Sequence, residues 1–167
     1  VEVQTMDPYL VPRFEGTGDA LWHPGRALLY GGQGPRSTEQ AYEFISAWTG
    51  VPVVLLDLPD PRFYHLDTCL APLDEDTAIC FPGAFDEAGL AVLRRCFPRL
   101  LEVGEADAMW MFCNGHCPDG KNYIVQEGSA AAVDVRALGY EVLEVETGEF
   151  RKAGGSVFCM KLAWWSR

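Results

Sequence analysis

The sequence predicts an α/β fold in which a strand, strand, helix, strand pattern repeats. In the first repeat, an apolar run at residues 27–30 precedes a helix that begins at Ser37, and a strand rich in β-branched and other apolar residues follows at residues 51–58. Equivalent elements return after about 40–50 residues, a period that is typical of an internally repeated architecture. No low-complexity segment or linker interrupts the pattern.

The helix of the first repeat has clear start and stop signals. Ser37 and Gln40 fit a capping box, and Gly50 predicts the helix end. Helical spacing predicts a face that packs on the core, formed by Ala41, Phe44, Ile45 and Trp48.

The later repeats follow from the same signals. The second is predicted to contain two strands joined by a turn at residues 74–76, then a helix and a strand, at residues 67–73, 78–81, 86–96 and 100–103. The third is predicted to contain the same elements at residues 109–113, 122–125, 129–138 and 141–145. A last strand is predicted at residues 157–164, and the chain also opens on a strand-like segment at Val1, as expected for the inside of a longer polypeptide.

Composition bounds the class of protein. The 167 residues are 49% apolar and suit one domain with a sizeable core. A net charge of −11 argues against nucleic-acid binding and favours cationic ligands, although a solvated acidic surface explains it equally well. No apolar run is long enough to span a membrane. Six dispersed cysteines do not form the framework of a small secreted domain, so we expect a reducing, cytoplasmic location.

Three separated motifs carry residues with chemical potential. Glu15 and Asp19 flank a Gly-rich turn that could clamp a planar cation. His65 and Asp67 would share one face of a strand, where one could transfer protons and the other could hold a positive group. Cys159 follows a Gly-Gly pair at the predicted start of the last strand. Taken alone, each motif also fits a structural role: an Asp/Gly turn, a satisfied histidine or a buried cysteine.

The segment 113–117, Cys-Asn-Gly-His-Cys, has the residue types of a zinc knuckle. Zinc sites use a second ligand pair at a recognisable spacing, and the sequence has none, so we predict no metal.

In this order and spacing, the three motifs resemble the guanidine-modifying enzymes of the pentein superfamily, which include arginine deiminases, dimethylarginine hydrolases and amidinotransferases. The resemblance is carried by residues 14–19, 60–69 and 152–160 and extends over essentially the whole chain. It implies a five-bladed propeller of ββαβ modules around a central site. This chain would supply about three of the five, at residues 1–62, 63–103 and 104–167, as a single partial pentein domain corresponding to the C-terminal part of the fold.

The resemblance also implies roles and a mechanism. Cys159 would be the nucleophile and His65 the general acid and base; Glu15 and Asp67 would bind the guanidinium, and Asp19 would bind substrate or orient its loop. Asn114 receives no role. The activity would be hydrolysis of a guanidine C–N bond through a covalent thiouronium, without a cofactor. An amidinotransferase and a non-catalytic pentein-like binding module or inactive fragment remain alternatives. Expected partners are a small guanidine or ureido substrate and the missing N-terminal modules, and association with a second copy of the chain is an open alternative.

Overall fold

The computed structural model describes residues 4–162, and its first two units share one topology. The first contains β1 (Ala20–Trp22), β2 (Leu29–Gln33), α1 (Glu39–Thr49) and β3 (Val53–Asp57). The second contains β4 (Leu70–Pro72), β5 (Thr77–Cys80), α2 (Glu87–Cys96) and β6 (Arg99–Glu102). In each sheet, the first two strands are antiparallel and the strand after the helix is parallel to the second strand.

The third unit has a smaller, two-stranded sheet. It contains α3 (Glu105–Met109), β7 (Asn122–Gln126), α4 (Ala132–Ala137), β8 (Glu141–Val145) and α5 (Gly148–Lys152). β7 and β8 are parallel. In place of a first strand, the described residues have one antiparallel bridge between His116 and Ile124, with both backbone hydrogen bonds at 2.9 Å.

The predicted mixed α/β class is confirmed. Within residues 4–162, the strands form three separate sheets rather than one closed sheet, so the propeller stays a prediction. Shared cores join neighbouring units. One apolar cluster includes Tyr30 and Leu56 of the first unit and Leu93 of the second, while another includes Ile79 of the second unit and Val125 of the third.

The strand predicted at residues 109–113 is wrong. α3 ends at Met109, Met111 adopts a left-handed conformation with φ of 65°, and a single 3-10 turn follows at Phe112–Asn114. Phe112 and Cys113 are buried by this turn. A short apolar run shows burial, but its periodicity alone does not distinguish a strand from a helical turn.

The strand predicted at residues 157–164 is also wrong over its described part. Phe158–Met160 form a 3-10 turn, and residues 163–164 lie outside the described residues, as do residues 1–3 of the predicted opening strand. The preceding α5 was not predicted. The strand predicted to begin at Asp67 starts only at Leu70, after a 3-10 turn at Leu66–Thr68.

The first helix ends as predicted, with Gly50 left-handed at φ of 71°, but its start differs from the capping box. Thr38 is the N-cap residue and makes no side-chain cap hydrogen bond. The predicted core face also changes: Ala41 and Ile45 are buried, as is Tyr42, whereas Trp48 is 52% exposed. The hydroxyl of Ser37 is used elsewhere, in the candidate site.

Within the described residues, no helix has both the length and the apolar character needed to cross a membrane.

Candidate active site

Direct contacts connect the three sequence motifs. Glu15 of the first motif binds His65 of the second, and Asp67 of the second contacts Cys159 of the third. The hydroxyl of Tyr64 also donates a hydrogen bond to the carbonyl oxygen of Gly154. The motifs are separated by about 50 and 90 residues along the chain, and the fold nevertheless brings them to one place.

Asp19 fixes the first motif against the second. It is buried, and Oδ1 accepts a hydrogen bond of 2.9 Å from the backbone N–H of Leu66. Oδ2 accepts a second hydrogen bond of 2.7 Å from the hydroxyl of Ser37. Burial raises the pKa of Asp19, and these two hydrogen bonds oppose the rise. With both oxygens engaged, Asp19 orients the loop that carries Glu15.

Glu15 holds the imidazole of His65. Its Oε2 lies 2.8 Å from Nε2 of His65 and 3.0 Å from a guanidinium nitrogen of Arg36. Slight desolvation opposes ionisation, but the hydrogen bonds from Arg36 and His65 prevail and lower the pKa of Glu15. The other side of the ring rests on Gly18, where a Cβ atom would lie only 2.6 Å from Nδ1 of His65. Only glycine leaves room for this ring position.

Asp67 and Cys159 form the second contact pair. Oδ2 of Asp67 lies 3.4 Å from the sulfur of Cys159. Asp67 is 2% exposed, and its Oδ1 atom is buried without a hydrogen-bond partner among the described residues. Burial is the main reason that the pKa of Asp67 rises from 3.8 to about 6, although the hydrogen bond from Cys159 and the charge of His65 oppose it. A buried carboxylate with a free oxygen is a ready position for a cation.

Cys159 keeps solvent access while its sulfur faces buried polar groups. The residue is exposed, in contrast to the buried Cys69, Cys80 and Cys113. Partial desolvation of the thiol, followed by the charge of Asp67, raises the pKa of Cys159 to about 11. The preceding glycines shape the approach: Gly154 has φ of 97°, and a Cβ on Gly155 would lie 3.1 Å from the sulfur of Cys159.

The predicted geometry of His65 and Asp67 needs correction. The two side chains were expected on one face of a strand, but His65 precedes the 3-10 turn Leu66–Thr68 and Asp67 lies within it. The turn sends His65 to Glu15 and Asp67 to Cys159. The two residues therefore contact different partners in the site rather than sharing one face of a strand.

Sequence reasoning missed two polar contributors, Asn114 and Arg36. Asn114 donates from Nδ2 to the sulfur of Cys159 at 3.3 Å, and Arg36 pairs with Glu15. The guanidinium of Arg36 also lies 5.5 Å from the ring centre of Tyr64. Nothing local in the sequence marks either contact, since each joins segments at least about 20 residues apart.

The Cys-Asn-Gly-His-Cys segment is arranged for packing. Cys113 is buried in the core of the third unit, and the ring of His116 meets that of Phe158 edge-on at 6.0 Å. Burial, with a smaller contribution from Lys161, lowers the pKa of His116 to about 4. Across residues 4–162, no group of three His, Cys, Asp or Glu side chains is placed to hold a metal ion.

Known proteins with related sequences act on guanidines. A dimethylarginine dimethylaminohydrolase of Mycobacterium tuberculosis is 42% identical over 149 residues, which are 89% of this chain and 48% of that protein. The bifunctional arginine dihydrolase/ornithine cyclodeaminase AgrE of Nostoc sp. is 35% identical over 151 residues, which are 89% of this chain and 22% of that protein. The chain is homologous to guanidine-modifying penteins. No family model matches it.

Solved structures of enzymes that act on guanidines have a fold similar to that of this chain. The product-bound N-terminal domain of ArgZ, an arginine dihydrolase from cyanobacteria, has a TM-score of 0.83 and 36% identity, covering 89% of this chain and 55% of that one. The amidinotransferase SxtG from Microseira wollei shares the fold, with a TM-score of 0.73 at 15% identity, over 85% of this chain and 45% of that one. The pentein resemblance predicted from the motifs is confirmed, and the chain spans about half the length of the first relatives that it matches.

Proposed function

We propose that the chain carries the catalytic part of a cysteine-dependent hydrolase that cleaves a C–N bond of a guanidine of the arginine or methylarginine type. The observation that carries the proposal is the buried Oδ1 atom of Asp67, which lies beside the thiol of Cys159 and has no hydrogen-bond partner within residues 4–162. A guanidinium placed there would satisfy the free oxygen and set its electrophilic carbon near the sulfur.

Cation binding would also activate the nucleophile. The thiol of Cys159 has a pKa of about 11 and is therefore protonated at neutral pH. A positive guanidinium next to both groups would favour the ionised forms of Asp67 and Cys159. Substrate and nucleophile would thus be coupled, since the thiolate forms where its target is bound.

The reaction we propose has two steps, with His65 moving the protons. His65 takes the thiol proton, and the sulfur of Cys159 forms a bond to the guanidinium carbon. The C–N bond then breaks, and His65 gives its proton to the departing amine, which leaves a thiouronium on the sulfur. In the second step, His65 takes a proton from water, and the water oxygen bonds to the same carbon. The C–S bond then breaks, the sulfur recovers a proton from His65, and the hydroxyl proton on the carbon leaves to solvent, which releases a neutral ureido product.

The remaining polar residues would position these groups. We propose that Glu15 orients the imidazole of His65, with which it is paired at 2.8 Å, and reaches the guanidinium once Arg36 moves from it. Asp19, whose oxygens both have protein partners, would act by holding the loop rather than by touching substrate. No cofactor has a role in this scheme.

We further propose that this chain forms about three ββαβ modules of a five-module propeller, at residues 1–62, 63–103 and 104–167. The relatives are about twice as long as the matched region, which supports this division. The other modules, in the same polypeptide or another chain, would supply the remaining substrate contacts. All six cysteines lie in the described part of the chain and are free thiols there, which suits a reducing compartment. We therefore propose the cytoplasm.

A charge-matched pair of alkylating reagents tests the site. A haloacetamidine is cationic and mimics a guanidine, whereas iodoacetamide is neutral and similar in size. We expect the amidine to label Cys159 at least about tenfold faster relative to Cys96 and Cys117 than iodoacetamide does, because an ion pair near a protein surface can exceed the 1.4 kcal/mol that corresponds to tenfold. Peptide mass spectrometry measures the ratio. The same ratio for both reagents would overturn the cation site.

Product analysis separates the possible activities. A hydrolase releases amine and a ureido product in water alone, and the hydrolases among the relatives favour this outcome. Transfer of the amidino group only when an amine is added would identify a transferase. Guanidine binding without any thiouronium at Cys159 in a rapid acid quench would identify a binding module and overturn the proposed hydrolase.

A further inference from the structure

A buried amide lies at the centre of the site and takes no part in the scheme above. Asn114 is fully buried in the 3-10 turn Phe112–Asn114. Its Nδ2 atom donates to the sulfur of Cys159 at 3.3 Å and to the carbonyl oxygen of Asp67 at 3.1 Å. One side chain thus spans the nucleophile and the turn that carries the proposed guanidinium ligand.

The other end of the amide fixes which atom faces the sulfur. Oδ1 of Asn114 accepts a hydrogen bond of 2.8 Å from the backbone N–H of Ser156. An amide nitrogen at that position would oppose another donor, so the oxygen must face Ser156 and the NH₂ group must face Cys159. The orientation therefore follows from the network, and it presents donors to the sulfur.

A second buried chain of hydrogen bonds supports Ser156. Its hydroxyl lies 2.7 Å from that of Thr147, and Gln126 at the end of β7 accepts hydrogen bonds from both the backbone N–H and the hydroxyl of Thr147. All three side chains are at most 3% exposed. The backbone N–H that holds Asn114 is thereby tied to the third sheet, so the amide has little freedom to turn away.

We propose that Asn114 is a positioning residue that holds the sulfur of Cys159 beside Asp67 and stabilises its thiolate through the Nδ2 donor. The inference rests on the proposed function, for which the thiolate is the nucleophile. A hydrogen bond from N–H stabilises the charged sulfur more than the neutral thiol, so removing it disfavours ionisation. A brace that only supported the fold would leave the ionisation of Cys159 unchanged.

Other ionisable groups around the sulfur act in known directions. The charge of Asp67 opposes ionisation of Cys159. The negative charges of ionised Tyr64 and ionised Cys159 also oppose each other. His65 and Lys161 favour the ionised form of Asp67. These groups are unchanged in a variant of Asn114 that adds no charge, so a difference in the titration of Cys159 in that variant reports on the amide.

The test measures the pH dependence of Cys159 alkylation by iodoacetamide in the whole chain. Asn114→Asp keeps the shape and the acceptor for Ser156 but replaces the NH₂ donor by an oxygen. We expect the alkylation rate at pH 9 to fall at least about tenfold and the midpoint to move to higher pH, because a hydrogen bond to a charged group is lost. Asn122→Asp makes the same exchange at a residue that binds Asp119 outside the site, and it should leave both quantities unchanged.

Unchanged rate and midpoint in folded Asn114→Asp would overturn the proposal. Asn114→Ser, whose side chain is too short to reach the sulfur, removes the donor without adding the negative charge that Asn114→Asp places there. It carries the same expectation, and an unchanged rate and midpoint in this variant would overturn the proposal even where Asn114→Asp responds. The unaltered protein gives a third measurement: the side-chain NH₂ resonances of Asn114 should shift with the ionisation of Cys159, whereas those of Asn122 should not. No shift at Asn114 would overturn the assignment.

These readouts need no guanidine turnover. Guanidine binding without a thiouronium, in a chain whose Cys159 responds to Asn114, would overturn the proposed hydrolase and support the positioning role. An active chain in which the titration of Cys159 does not change with Asn114 would support the proposed hydrolase and overturn the positioning role.

Discussion

Replacing Asp67 by Asn should make the free protein more stable and its guanidine binding weaker. Asp67 is 2% exposed, and Oδ1 has no partner among the described residues, so the folded chain holds a buried negative charge that nothing fully compensates. Asparagine has the same shape without the charge. The two expected effects have one cause and opposite signs.

The size of the stability effect follows from the pKa of Asp67. Folding raises this pKa from 3.8 to about 6, which corresponds to about 3 kcal/mol at 1.36 kcal/mol per pH unit. The folded state binds the proton more tightly, so this contribution to stability is fully present below pH 3.8 and is lost as pH rises through about 6. Asp67→Asn should therefore match the wild type near pH 4 and exceed it by up to about 3 kcal/mol at pH 7.

Urea unfolding at pH 4 and pH 7 measures this difference, and calorimetry measures arginine binding at pH 7. Losing the charge-assisted pair should weaken binding by about 2–5 kcal/mol. Asp134→Asn, at an exposed carboxylate on α4, should change stability by less than about 0.5 kcal/mol. Equal stability of Asp67→Asn and wild type at both pH values, or a loss of affinity below about tenfold, would refute the account of Asp67 as an uncompensated cation ligand.

Two further variants test the nucleophile and the base. In Gly155→Ala, the new Cβ would lie 2.8 Å from Cβ of Cys159, so we expect amidine labelling of Cys159 to slow by about tenfold or more. In the control Gly104→Ala, the nearest atom would be 4.0 Å from the new Cβ, and Cys159 should be labelled at the wild-type rate. Equal labelling rates in the two variants would mean that the position of the thiol is not critical. His65→Asn should lower turnover by about 10²–10⁴-fold with little change in guanidine affinity, as measured by steady-state kinetics and calorimetry, and undiminished turnover would exclude His65 as the proton carrier.

The sequence identified the chemistry of the site better than its geometry. The motifs around Glu15, His65 and Cys159 predicted residues that lie in one place, since each carries side chains of reactive types. Asn114 received no role because its contacts reach across about 45 residues to Cys159 and to the turn of Asp67. Such pairings depend on how the units pack, which local spacing does not encode.

The fold shows the same limit. Helices with clear caps and periodicity were predicted to within a few residues, as in α2, where Asp86 caps the helix by accepting from the N–H of Gly89 at 2.7 Å. β8 has the predicted bounds, Glu141–Val145. The errors in strand assignment fall on residues 109–113 and on the described part of 157–164, which form 3-10 turns around the site. The first turn buries Phe112, whereas no residue of the second turn is buried. These turns bring Asn114 and Cys159 together, so the departures from regular structure lie where the chemistry is.

In the free site, ionisation is unfavourable for both Cys159 and Asp67. Cys159 has a pKa of about 11 and Asp67 a pKa of about 6, so each group is less ready to carry charge than in water. A neutral ligand would relieve neither group, whereas a guanidinium would lower both pKa values at once because it is opposite in charge to both. The thiolate would then form mainly in the substrate complex, and the free enzyme would keep an exposed but protonated cysteine. On this argument guanidine binding releases protons and strengthens as pH rises through about 6, where Asp67 ionises, whereas a site whose Asp67 is already ionised well below pH 6 would show neither effect in that range.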